Sequence, residues 1–136
     1  MAGNHVEAES FFRQAIKDNK TAIEGRMNLI RLLHMQGRHA ETISTFKELE
    51  TKAQLVKIHP QILYIASQSA LDVRDHKTAI QNLQILAPQN PGNSDIQCML
   101  SRAFIESGRL LDSKNVLEKA MLANPDNPSI ATQLAI

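Results

Sequence analysis

Apolar residues recur along this chain at helical spacing, in blocks broken by short polar turns. In "RMNLIRLLHMQG", Leu29, Leu32, Leu33 and Gln36 follow one another at three-to-four spacing, and Gly37 supplies a left-handed stop. "HAETISTFKELE" places Ile43, Phe46 and Leu49 on one face of a partner helix. "SDIQCMLSRAFIESG" repeats the first pattern with Ile96, Leu100, Ala103 and Phe104, ends on Gly108, and has Asn93 or Ser94 as its N-cap. The pattern predicts a helix, a tight turn and a second antiparallel helix, used repeatedly.

The blocks keep a period. Pro91 and Pro125, each in an Asn-Pro dipeptide that stops a second helix, lie 34 residues apart, as do Leu83 and Leu117, Ala79 and Ser113, and the turn residues Arg74 and Gly108. Towards the N-terminus Gly37 precedes Arg74 by 37 residues, and Gly3 precedes Gly37 by 34. The turns read "GNHVEA", "GRHAET", "RDHKTA" and "GRLLDS". The three extra residues fall in "KAQLVKIHP", Lys52–Pro60, between helices, where an insertion costs least. Repetition on this scale is the signature of an all-α solenoid, whose units bury their apolar faces against neighbours. The predicted layout is a second helix of an incomplete unit at 3–22, full units at 23–59, 60–93 and 94–127, and the first helix of an incomplete unit at 128–136. Such open ends suit a piece of a larger repeat protein. They also suit self-assembly, with Phe11, Phe12 and Ile16 on the unpartnered helix at the N-terminal end as the oligomer contact.

These residues resemble the tetratricopeptide repeat. Residues 94–127 carry Leu100, Ser101, Phe104, Gly108, Leu117, Ala120 and Pro125 where that family's pattern wants them; residues 60–93 match through Leu63, Ala66, Ser67, Ala79, Leu83 and Pro91. The unit from Ile23 departs from it, with Ile30 in place of a small residue and Thr42 in place of Ala. The resemblance implies a right-handed superhelix of antiparallel helix pairs whose first helices line a concave groove for a peptide or helix. Carried over by phase, the groove would present Met27, Arg31, His34 and Met35, then Tyr64, Gln68, Leu71 and Asp72, then Cys98, Arg102, Ile105 and Glu106. Arg31, Arg102 and Tyr64 stand out, because arginine and aromatic residues dominate binding energy at interfaces. The Lys, Asn, Asn, Lys and Arg clamp of chaperone-binding members is missing, since Met27, Arg31, Ile65, Asp95 and Met99 occupy its places.

Composition narrows the function. The 136 residues are 43% hydrophobic and 4% aromatic, with no Trp, which favours helices over a β sandwich. A net charge of +1 and a single Tyr offer neither the basic surface nor the stacking platform of a nucleic-acid groove, so a helical-repeat RNA binder is the lesser alternative. No run approaches the ~18 apolar residues of a membrane span, so no direct membrane insertion is expected. The absence of an apolar leader and the lone Cys98 make a cytoplasmic location the default expectation.

Catalytic patterns are lacking: there is no G-x-S-x-G, H-E-x-x-H or phosphate-binding glycine loop. His5, His39 and His76 stand two residues after successive turns. Residues in equivalent repeat positions lie a unit apart, which suits packing at the start of each second helix and not convergence on one metal. Cys98 sits within a helix and reads as a packing residue. The expected function is a non-catalytic protein-interaction module without cofactor or metal, whose partner is a protein or peptide.

Overall fold

The computed structural model describes residues 2–18, 20–123 and 125–126. These form seven α-helices, with no strand among the described residues, and the chain divides into two compact units, Met1–Val73 and Arg74–Ile136. No helix among the described residues is long and apolar enough to cross a membrane.

The first unit holds α1 (Ala2–Ile16), α2 (Ala22–Met35), α3 (His39–Lys52) and α4 (Pro60–Asp72). Helix α2 packs against α1, α3 and α4. Between α2 and α3 the chain reverses through Gly37 at φ +73°, where the Gly37 amide donates to the His34 carbonyl and the Arg38 amide to that of Leu33. The extra residues before α4 form a single 3-10 turn, Leu55–Lys57, so they lengthen a connection and leave the flanking helices intact. Pro60 then starts α4, its missing N–H costing nothing at a first helical position, and His59 Nδ1 caps the end by accepting from the Gln61 amide. Leu29, Ile30, Leu33, Phe46, Leu49, Ile62 and Leu63 are fully or almost fully buried. Each contributes roughly 1.5–3 kcal/mol relative to an exposed position. The departures from the family pattern are accommodated: Ile30 and Thr42 are both buried, and the Thr42 hydroxyl donates to the Arg38 carbonyl one turn back at 2.8 Å.

One expectation at the N-terminus changes. The turn predicted at Gly3 is helical, and α1 runs from Ala2 to Ile16. A left-handed turn is imposed where two packed helices must reverse, and α1 follows no helix among the described residues. Gly25, which periodicity did not single out, sets the approach of α1 to α2: a Cβ there would stand 3.1 Å from Ala15 Cβ and 3.2 Å from the Ile16 nitrogen.

The second unit holds α5 (His76–Gln89), α6 (Ser94–Glu106) and α7 (Leu110–Ala123). Asp75 caps α5 by accepting from the Thr78 amide, and Asn93 caps α6 by accepting from the amides of Asp95 and Ile96. Helix α5 stops before Pro91 and α7 before Pro125, as the Asn-Pro spacing predicted. Gly108, at φ +80°, repeats the Gly37 turn. Two small residues of α6 and α7 meet directly, Ser101 Oγ lying 2.7 Å from Ser113 Oγ. The incomplete unit expected at 128–136 lies outside the described residues.

Candidate functional site

On the first unit, α2 and α4 bring several expected groove residues together. Met27, Arg31 and Met35 follow at four-residue spacing on α2, so they form one stripe. Met35 is 65% exposed, Met27 half-buried. Gln61, Tyr64 and Gln68 form the facing stripe on α4, with Tyr64 and Gln68 half-buried. The stripes are joined by Arg31, whose Nε donates to Gln61 Oε1 at 3.2 Å and whose Nη1 donates to Asn28 Oδ1 at 2.8 Å. Leu71 departs from expectation. At 4% exposure it belongs to the core and has no surface to offer a partner, because the phase that places a groove residue also places the buried edge of α4.

His34, expected in the groove, takes part in a polar cluster with Ser69 at its centre. Ser69 is 0% exposed, and its Oγ lies 3.0 Å from His34 Nδ1 and 2.9 Å from His39 Nδ1. The two rings meet edge to face with centroids 5.6 Å apart, and His39 Nε2 reaches Asp72 Oδ2 at 3.4 Å. One hydroxyl proton serves both rings, so Ser69 donates to one imidazole and accepts from the other. Burial, and then the neighbouring His39 charge, hold the His34 pKa below the ordinary histidine value. The file of Asp72, His39 and Ser69 has the residue types of an acyl-transfer triad, but a buried Oγ already shared by two rings is not reachable by a substrate carbonyl. Among the described residues no three His, Cys, Asp or Glu side chains are arranged to hold a metal. Ser69 had no signal of its own in the sequence; a polar residue on an apolar helix face was the available clue.

On the second unit the expected residues behave differently. Arg102 Nε donates to Glu106 Oε1 at 2.9 Å, and Glu106 Oε2 accepts from His76 Nε2 at 3.0 Å when that nitrogen is protonated. These contacts, that of Arg102 foremost, hold the Glu106 carboxyl below the ordinary range. Ile105, 45% exposed, supplies the apolar element beside them. Cys98 packs against Leu117 and Ala120, and burial pushes its thiol pKa up, which suits packing and not nucleophilic use.

The expected oligomer contact lies on α1. Phe11 is 71% exposed, while Phe12 and Ile16 are half-buried, and the two Phe rings meet edge to face at 6.0 Å. Phe11 and Phe12 border an open cleft of about 500 Å³ between α1 and α2, which Ala15 and Gly25 also line.

Comparison with known proteins agrees with this architecture. Residues 70–135 match the tetratricopeptide repeat family profile. A stretch of cellulose synthase operon protein C from Xanthomonas axonopodis pv. citri is 28% identical over 93% of this chain, which spans only 9% of that relative's length. Among solved structures, MamA from MSR-1 superposes with a TM-score of 0.74 at 18% identity, covering 98% of this chain and 75% of its own. MamA from Desulfovibrio magneticus RS-1 gives 0.74 at 16% identity, covering 98% of this chain and 73% of its own. At that identity the likeness is one of fold: an all-α solenoid of antiparallel helix pairs.

Proposed function

We propose, for a chain whose residues 70–135 match the tetratricopeptide repeat family, a non-catalytic role in which the first-helix faces of its repeats receive a peptide or helix from a protein partner. The observation that carries this reading is the α2–α4 face: an exposed Met35, a half-buried Tyr64 and the Arg31 guanidinium lie side by side on pre-formed helices. Rigid helices spare a partner's binding most of the ordering cost on this side. The chain serves as a section of a larger repeat protein, a reading supported by its span of 9% of the cellulose synthase operon protein C relative. Affinity capture with the parent chain and an Arg31→Glu/Arg102→Glu variant of equal helicity tests the assignment. Loss of the captured partner in the variant is expected; equal retention moves the binding surface elsewhere.

A second reading, self-association through α1, is favoured by the exposure of Phe11 above its cleft. Sedimentation equilibrium of the parent chain and Phe11→Ser tests it. A monomer at every concentration ends that reading.

A further inference from the structure

We infer that the α2–α4 face of the first unit is a receptor for a single carboxylate, presented by an Asp or Glu side chain within an acidic peptide partner and seated on Arg31 between Asn28 and Gln61. The inference rests on the peptide-binding reading and names the partner's chemistry.

The argument begins with charge pairing. Arg13, Arg26, Arg38, Arg102 and Arg109 each have a carboxylate oxygen within 4.0 Å. Arg31 has none among its described partners; two neutral amides hold it. A guanidinium only donates, so Asn28 and Gln61 must both turn their oxygens towards it. That leaves Asn28 Nδ2, Gln61 Nε2 and the remaining Arg31 N–H groups directed away from the bonds already made. The cluster is therefore donor-rich with one uncompensated positive charge, and its complement is an anion.

The kind of anion follows from the count. One fixed cation suits a monovalent carboxylate, whereas a phosphoryl dianion calls for a second cation that no described contact supplies here. Met27 and Met35, one turn either side of Arg31, and Tyr64, one turn beyond Gln61, surround the cluster with side chains that accept apolar neighbours. The partner segment is thus an acidic residue flanked by apolar ones. The equivalent stretch of the second unit is not a second receptor, because Glu106 already satisfies Arg102.

Selection of a random-peptide display library on the immobilised full chain tests this. Enriched peptides should share an Asp or Glu between apolar residues, and a synthetic copy should lose about tenfold in affinity when its Glu is replaced by Gln, as expected for one charge-assisted contact. That sensitivity should vanish in Arg31→Gln, survive partly in Arg31→Lys, and remain whole in Arg109→Gln, an arginine already paired with Asp112. The inference is overturned if no peptide is enriched, if enriched peptides lack an acid, if Glu-to-Gln sensitivity persists in Arg31→Gln, or if phosphoserine in place of Glu binds more tightly. Non-acidic peptides that bind and are lost on Tyr64→Ser would leave the peptide-binding reading standing while this one falls. Binding untouched by both Arg31→Gln and Tyr64→Ser would end both.

Discussion

Glu106 Oε2 lies 3.0 Å from His76 Nε2, and His39 stands in the same relation to Asp72 at 3.4 Å. In each case the first residue of a second helix meets the last residue of the first helix that follows. Asp72 and Glu106 are 34 residues apart and the histidines 37, the difference being the insertion before α4. The pair is a recurring clip between successive helices, and it accounts for His39 and His76.

Glu106→Gln should lower stability near neutrality by less than about 1 kcal/mol, since the pair is partly exposed. Its carboxyl is held below the ordinary 4.5. The stabilisation is therefore present above that value and lost as pH falls through the lowered one. Urea midpoints of parent and variant should differ at neutral pH and converge in acid.

Ser69→Ala removes the hydroxyl shared by His34 and His39, whose rings are part-buried, and takes one partner from each ring. A loss of about 1 kcal/mol is expected in urea denaturation. Ser107→Ala, whose hydroxyl only returns to its own helix, should cost far less.

His34 sets a pH dependence of its own. Its pKa is held below the ordinary 6.5 by burial, so the unfolded chain takes up this proton first. Stability should be full above 6.5, fall as pH drops from there to the lowered value, and level off below it. His34→Gln should flatten that part of the profile, read as urea midpoint against pH.

The three reversals differ in strain. Gly37 and Gly108 have positive φ, and nothing lies within 4 Å of the place a Cβ would take at either. Gly→Ala at each should therefore cost about 1 kcal/mol through backbone strain alone, read from thermal denaturation. Arg74 adopts φ +62° with a side chain present. Arg74→Gly should raise the thermal midpoint, and a fall in it would show that the Arg74 side chain contributes more than its backbone costs.

Gly25→Leu should displace α1. No leucine fits where a bare Cβ already stands 3.1–3.3 Å from Ala15 and Ile16. The expected result is fast amide exchange in residues 2–16 with protection of α3 and α4 retained; unchanged protection of α1 would refute the close approach.

The helices, their order and their turns were legible because each rests on local rules. Three-to-four spacing marks the buried stripe, Gly37 and Gly108 mark the reversals, and Asn93 and the prolines mark the ends. Arg74 was legible only through the period, since nothing local predicts a left-handed arginine.

Amino-acid order alone determined the repeat, its 34-residue period and the pairing of helices, because periodic burial is written into residue spacing. Side-chain partnership across helices was decided by the tertiary structure. Leu71 and Met35 both lay on candidate faces, yet one is core and the other surface. Arg31 and Arg102 sit in matching phases, yet Glu106 neutralises one and amides hold the other. Phase fixes the direction of a side chain about its own helix axis; what it meets depends on the neighbouring helix, which the period does not specify.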